Sequence, residues 1–316
     1  MNRLAGALAA LVLMGAPAFA LAEPIELPIQ IDNNLVFVEV ELNGRPKSFI
    51  LDTGAPTIVD QRAAQEARLE TRLFAQTDGM GATPSPVYRL QGGRLSVAGV
   101  ATPSPIAIPL AGVERCFNAV ALDVEGGEHD PTAARPGGPR RVDGILGREF
   151  FNDHVVQIDY AASRVRFWPK GQGPSTAGVS LPLQLTASHM FVDVRLAARG
   201  KPAVPAHLMV DTGFALPFGL VRPFIEANGL GPPAGVGAPW TSCGLNGEVA
   251  EPSVKATLDR VELGPLRVEA PVTEYSRTVM ATSFDGYLGG AALRRWRVTV
   301  DVPGRRLMLE DPAPTP

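Results

Sequence analysis

Two copies of one tripeptide hold the residues of this chain best suited to acid–base chemistry. Asp52-Thr53-Gly54 and Asp211-Thr212-Gly213 each follow an apolar run of buried-strand type. Two carboxylates held within a few ångström cannot both ionise, so they share one proton. The ionised member can then take a proton from water while the protonated member donates a hydrogen bond. The repeat therefore predicts a two-carboxylate site.

A single copy of the tripeptide is weak evidence, because Asp, Thr and Gly are all common in β-turns. At average residue usage, one copy in a chain of this length is expected by chance at about 5%. Two copies, each followed at a similar distance by a second matching motif, indicate duplicated architecture.

The second motif repeats in a fixed register. Asp143 and Asp285 are 142 positions apart (285 − 143), and so are Phe167 and Leu309 (309 − 167). Between tripeptide and motif the first half is 17 residues longer (143 − 52 against 285 − 211). We assign that surplus to an exposed loop from Asp123 to Arg141, which is rich in Gly and Pro and lacks periodicity. We therefore expect the two tripeptide loops to meet at a pseudo-two-fold axis.

Composition favours a globular chain built from short strands. Hydrophobic residues make up 45% and aromatic residues only 6%, with 33 Gly and 30 Pro. We predict an all-β chain of two tandem lobes, 23–172 and 177–316, joined by a Gly/Ser/Pro linker. The formal net charge is −3 with scattered basic residues, which argues against a nucleic-acid-binding face.

Residues 1–22 have the pattern of a secretory signal peptide. Arg3 precedes an apolar core from Leu4 to Met14, and Ala20-Leu21-Ala22 supplies small residues for cleavage. The core is short for a membrane span, and no other stretch is long and apolar enough to make one. We expect a periplasmic or secreted protein.

Local patterns predict several further elements. Leu35 to Leu42 and Met190 to Leu196 alternate as half-buried strands. Gln61 to Phe74 and Pro223 to Asn228 are the helix candidates. Asp159 and Asp301 occupy equivalent positions in the two halves, and we assign them a structural role. Arg164 and Arg306 keep the same spacing and are their candidate ion-pair partners.

Metal and redox chemistry have little support in the sequence. The four histidines form no ligand spacing, so we predict no metal site and no cofactor. Cys116 and Cys243 are the only cysteines. They lie at non-equivalent positions of the two halves, so an oxidising compartment permits a disulfide that the repeat does not predict.

The combination of an apolar strand ending in Asp-Thr-Gly with a later apolar-apolar-Gly motif resembles the aspartic peptidases. The second motif is Ile145-Leu146-Gly147 in the first half and Tyr287-Leu288-Gly289 in the second. Ala55 after the first tripeptide resembles the retropepsin-like branch, and the two copies resemble the pepsin-like bilobal arrangement. The resemblance implies two small barrel lobes that face a central cleft.

The same resemblance implies roles for individual residues. Asp52 and Asp211 would be the catalytic dyad of an endopeptidase that takes peptide or protein substrates. Thr53, Gly54, Thr212 and Gly213 would support the two catalytic loops. The segment Thr77 to Val87, with Gly79, Met80 and Gly81, would form a mobile flap, and Trp240 to Gly247 its counterpart.

The sequence departs from the family pattern next to each tripeptide. Pro56 and Ala215 stand where family members often carry a hydroxyl that bonds the carboxylate, and Phe214 stands where a small residue is usual. A monomeric peptidase is our first hypothesis. A pepsin-fold protein that binds peptides or cell-wall fragments with little or no catalysis is the alternative.

Overall fold

The computed structural model describes residues 23–77, 84–102, 106–131, 135, 137–174, 178–198, 200–249, 251–277 and 283–312. The predicted signal segment 1–22 and the flap residues Gly79, Met80 and Gly81 lie outside the described residues.

The described residues are mostly in β-strands. In the first half these are β1 (Ile25–Pro28), β2 (Gln30–Asp32), β3 (Leu35–Leu42), β4 (Arg45–Leu51), β5 (Ile58–Asp60), β6 (Glu70–Thr77), β7 (Ser85–Gln91), β8 (Leu95–Val97), β9 (Val100–Thr102), β10 (Ile106–Ile108), β11 (Ala121–Leu122), β12 (Glu128–His129), β13 (Gly144–Leu146), β14 (His154–Asp159) and β15 (Arg164–Pro169). In the second half they are β16 (Val179–Pro182), β17 (Gln184–Leu185), β18 (Met190–Ala197), β19 (Val204–Asp211), β20 (Phe218–Leu220), β21 (Ala238–Trp240), β22 (Cys243–Gly244), β23 (Gly247–Glu248), β24 (Ser253–Thr257), β25 (Arg260–Leu263), β26 (Leu266–Glu269), β27 (Val272–Tyr275), β28 (Gly286–Gly289), β29 (Arg297–Asp301) and β30 (Arg306–Glu310). The helices are α1 (Gln61–Glu66), α2 (Ala111–Ala119), α3 (Arg148–Asp153), α4 (Arg222–Asn228) and α5 (Gly290–Leu293).

The main sheets of the two halves have the same topology. The first has the order β6-β7-β10-β5-β13-β4-β3-β8-β9, and the second has β21-β24-β27-β20-β28-β19-β18-β25-β26. Each order maps onto the other strand for strand. The prediction of an all-β chain with two copies of one lobe is therefore confirmed.

Parallel pairing places the two repeated motifs side by side. β13 pairs with β4, and β28 pairs with β19, so each apolar-apolar-Gly strand lies beside the strand that ends at a tripeptide. The apolar residues Phe49, Ile50 and Leu51 are buried, because β4 lies between β13 and β3. Each tripeptide thus follows a strand held inside its sheet.

The final strands of both halves join in a third sheet with the order β1-β15-β14-β29-β30-β16. β14 and β29 are antiparallel partners, with Gln157 opposite Thr299. These strands are predictable from the sequence, but their pairing with each other is not. The linker predicted at residues 171–177 lies between β15 and β16 of this shared sheet, and the domain limits stay a prediction.

Local predictions had mixed outcomes. The helix predicted over Pro223 to Asn228 is present as α4. The helix predicted over Gln61 to Phe74 was wrong beyond Glu66, because Arg68 takes a left-handed conformation (φ 57°) and the following residues pair as β6 with β7. The helix α2 was not predicted.

The segment predicted as an exposed loop, Asp123 to Arg141, contains strand β12 and a buried cation. The Arg135 side chain is 7% exposed, and its Nε lies 3.1 Å from Asp32 Oδ2. The prediction of an exposed loop was therefore wrong for this part. The Arg135 side chain can be buried because Asp32 neutralises its charge.

The repeated aspartates beside the shared sheet are structural. Arg306 Nε lies 2.8 Å from Asp301, as predicted. Asp159 instead pairs with Arg297 at 3.0 Å, and Arg164 pairs with Glu26.

Two further features concern the whole chain. Cys116 on α2 and Cys243 on β22 form a disulfide that joins the two halves. Among the described residues, no helix has the length and apolar character needed to cross a membrane.

Candidate active site

The two tripeptide loops meet and are locked together by their threonines. Thr53 Oγ1 donates to the Val210 carbonyl at 2.7 Å, and Thr212 Oγ1 donates to the Leu51 carbonyl at 2.8 Å. Each hydroxyl also accepts the backbone N–H of the opposite threonine, at 3.0 and 3.1 Å. Both side chains are fully buried. The reciprocal pattern confirms that the loops meet at a pseudo-two-fold axis.

The glycines let each loop approach the carboxyl group of the other. A Cβ added to Gly54 would lie 2.6 Å from Asp211 Cγ, and one added to Gly213 would overlap the carboxylate of Asp52. The N–H of Gly54 donates to Asp52 Oδ1 at 2.7 Å, and the N–H of Gly213 donates to Asp211 Oδ1 at 2.9 Å. Glycine is therefore required here for close approach across the axis, and any side chain would separate the pair.

The two aspartates, Asp52 and Asp211, are half-buried, and they hold protons differently. Burial raises the pKa of Asp211 well above its ordinary value, and the neighbouring charge of Asp52 raises it further. Burial also raises the pKa of Asp52, although backbone donors and the hydrogen bond from Asp211 oppose that rise. The two carboxyl groups therefore titrate as a coupled pair, and the rise in pKa is the larger for Asp211.

The apolar-apolar-Gly motifs support the loops from below. Leu146 and Leu288 are at most 1% exposed, and the carbonyl of Leu146 accepts the N–H of Asp52 at 3.0 Å. Gly147 and Gly289 leave no room for a Cβ against the backbone of the facing loop. These residues position the site and do not line it with reactive groups.

Phe214, the unusual residue after the second tripeptide, is packed in place. Its ring stacks on Tyr287 with centroids 5.2 Å apart. A Cβ on Gly219 would lie 3.0 Å from the Phe214 ring, and a Cβ on Gly289 would lie 2.6 Å from it. Gly219 and Gly289 therefore make space for the Phe214 ring, although a small residue is usual at that position in the family.

Strands β6 and β7 flank the predicted flap residues in the sequence and pair with each other. β6 and β7 pair in an antiparallel register from Glu70↔Gln91 to Thr77↔Ser85. The predicted counterpart of the flap contains the small hairpin β22–β23 of the second half. The side-chain amide of Asn246 in that hairpin donates to the Thr77 carbonyl at 3.0 Å, so the predicted flap segment and its predicted counterpart are in contact.

Comparison with known proteins agrees with the geometry. Residues 38–150 match the family model described as aspartyl protease. The second half repeats the sheet topology of the half that contains this match. A search of curated proteins found no match.

Two solved structures of aspartic proteases are similar to this chain. A retropepsin-like aspartic protease from Rickettsia conorii is 16% identical, covering 42% of this chain and 89% of its own, with a TM-score of 0.32. An aspartic proteinase from Irpex lacteus is 10% identical, covering 92% of this chain and 98% of its own, with a TM-score of 0.47.

Proposed function

We propose that this protein is an active aspartic endopeptidase with Asp52 and Asp211 as its dyad. The observation that carries the proposal is geometric: the Thr53–Thr212 lock holds each aspartate carboxyl group against the glycine of the opposite tripeptide. The match of residues 38–150 to the aspartyl protease model supports a protease-like function.

The proposed reaction uses the two carboxyl groups in different roles. Asp52, which carries the charge, takes a proton from a water held between the pair, and the hydroxide equivalent attacks the peptide carbonyl carbon. Asp211 donates its proton toward the carbonyl oxygen as that oxygen becomes negative. When the C–N bond breaks, the amine takes the proton that Asp52 accepted, and a hydroxyl of the tetrahedral intermediate returns its proton to Asp211 as the new carboxyl group forms. Both aspartates then regain their starting states.

The test is cleavage of a quenched-peptide library across pH. Asp52→Asn and Asp211→Asn should each abolish turnover, because Asn keeps the shape of Asp and cannot exchange the proton. Asp153→Asn, on the exposed end of α3, is the matched control and should keep full activity. Cleavage that persists in either dyad variant would refute the proposed roles.

The expected pH profile is bell-shaped, with limits that belong to the pair. Pro56 and Ala215 supply no hydroxyl to the carboxylates, and a lost hydrogen bond to a charged group costs about 1.5–3 kcal/mol. The ionised form is then less favoured, so the acidic limit should lie at a higher pH than in pepsin-like enzymes that keep these hydroxyls. An optimum as acidic as that of pepsin would contradict this account.

The alternative, a binding protein without catalysis, is favoured by the same missing hydroxyls. Absence of cleavage at every pH together with measurable peptide binding would establish it.

We also propose that residues 1–22 are removed on export and that the chain acts as a monomer in the periplasm or outside the cell. The disulfide between Cys116 and Cys243 supports an oxidising compartment. The tests are N-terminal sequencing of the exported protein, which should start near Glu23, and its mass in solution.

A further inference from the structure

A cavity of about 180 Å³ lies between the lobes beside the Asp211 loop. Gly213 and Phe214, which directly follow that aspartate, form part of its wall. Most of the lining is apolar, and it comes from both lobes: Leu35, Val113 and Phe117 from the first, and Phe214, Leu216 and Trp240 from the second.

One acidic residue lines this cavity from inside the protein. Glu274 is 5% exposed. The hydroxyls of Ser242 and Ser253 both donate to its Oε1, the latter at 2.7 Å. Its buried Oε2 accepts no hydrogen bond of normal geometry. Burial raises the pKa of Glu274, and the two serine hydroxyls and the indole of Trp240 oppose that rise only in part. A buried carboxylate oxygen without a donor is costly, which points to a partner that the free protein lacks.

The nearest cation does not serve as that partner. Lys255 is directly opposite Glu274 in the sheet, but its ammonium pairs with Glu128 of the first lobe and lies 4.2 Å from the centre of the Trp240 ring. Glu248, an exposed residue, adds a second carboxylate to the cavity lining. With Lys255 paired to Glu128, the described residues that line the cavity offer two carboxyl groups and no cation of their own.

The fold itself does not require an acid at this position. Glu274 on β27 is the counterpart of Ile106 on β10. In the second half Glu274 is opposite Gly219, which is opposite Tyr287. In the first half Ile106 is opposite Ile58, which is opposite Ile145, and Tyr287 and Ile145 are 142 positions apart (287 − 145). The first lobe builds the same sheet with an apolar side chain there. The acid in the second lobe is therefore a departure from the repeat at a position that lines the cavity.

We propose that this cavity is a specificity pocket for a basic side chain of the substrate, lysine or arginine. The aliphatic stem lies along the apolar walls, and the cationic head binds Glu274. This inference rests on the proposed function, because it names the class of peptide that the dyad would cut. The position of the pocket next to the Asp211 loop places the recognised residue close to the cleaved bond.

The test uses peptides that differ in one ammonium group. A peptide series carries lysine at one position at a time, and a matched series carries norleucine, which keeps the stem and lacks the charge. At one position the wild type should cleave the lysine peptide with a kcat/KM roughly tenfold or more above that of the norleucine peptide. Equal rates at every position would overturn the pocket and leave the proposed function intact.

Two variants separate Glu274 from charge in general. Glu274→Gln should bring the lysine-to-norleucine ratio close to one, while the norleucine peptide is still cut. Glu248→Gln is the matched control at the rim and should keep the ratio within about twofold, as expected for an exposed charge. A ratio lost in the rim variant and kept in Glu274→Gln would overturn the assignment. Should Glu274→Gln fail to fold, Glu274→Ile copies the residue that the first lobe tolerates.

A binding measurement covers the case in which the wild type cuts nothing. Dissociation constants for the lysine and norleucine peptides are then compared in the wild type and in Glu274→Gln by calorimetry. Tighter binding of lysine that depends on Glu274 would support the pocket although the proposed function had failed. Equal binding, or no binding of either peptide, would overturn it.

Discussion

At the scale of single residues, the dyad makes the stability of the protein depend on pH. The folded state raises the pKa of Asp211 above its unfolded value near 3.8, so the folded state binds that proton more tightly. The stabilising contribution is full below pH 3.8 and is lost as pH rises through the folded pKa. Each pKa unit of such a shift corresponds to about 1.4 kcal/mol.

Asp211→Asn removes this dependence and should therefore be more stable than the wild type at neutral pH. We expect the urea midpoint of the wild type to fall between pH 4 and pH 8 more steeply than that of the variant. Asp153→Asn should follow the wild-type curve. Parallel curves for the wild type and Asp211→Asn would show that the pKa of Asp211 does not differ between the folded and unfolded states.

At the scale of elements, Gly147 directly after β13 and Gly289 at the end of β28 set how closely each strand approaches the loop beside it. A Cβ on Gly289 would overlap the Leu216 carbonyl and lie 2.6 Å from the Phe214 ring. Gly289→Ala should therefore destabilise the protein by about 1–3 kcal/mol, as overpacking does, and should lower activity by shifting the Asp211 loop. Gly137→Ala is the control, because nothing lies within 4 Å of its added Cβ. Chemical denaturation with equal losses in both variants would contradict the packing argument.

The elements also show what the sequence could predict. The dyad loops and their supporting strands were predictable, since Asp52 and Asp211 end apolar runs and their motifs repeat in register. The pairing of β14 with β29 was not, because strand partners far apart in sequence leave no local pattern. The helix α2 is short and contains Gly112 and Asn118, two weak helix formers, so its periodicity gave little signal. Glu274 lies among ordinary strand residues, and only its burial beside a cavity marks it.

At the scale of the whole molecule, the disulfide between Cys116 and Cys243 fastens the lobes to each other over a separation of 127 residues. A cross-link that closes so long a loop typically stabilises by about 2–4 kcal/mol. The double variant Cys116→Ser/Cys243→Ser should lose about that much, and thermal unfolding of the wild type with and without reductant should show the same difference. An unchanged melting temperature in the variant would mean that the shared sheet and the Thr53–Thr212 lock hold the lobes together without the disulfide.

The shared sheet carries a trace of how such a chain could arise. Gln157 and Thr299 face each other across β14 and β29, and they are also 142 positions apart (299 − 157), so the axis relating the lobes passes between them. In a symmetric ancestor assembled from two identical half-chains, one residue would face its own image at this point. Thr53 and Thr212 still do so, because a hydroxyl can donate and accept at once. At Gln157 and Thr299 the images have diverged, and the amide now donates to the hydroxyl at 3.1 Å. In one polypeptide each half can change independently, and here the tripeptide loops keep their reciprocal contacts while this pair in the shared sheet differs.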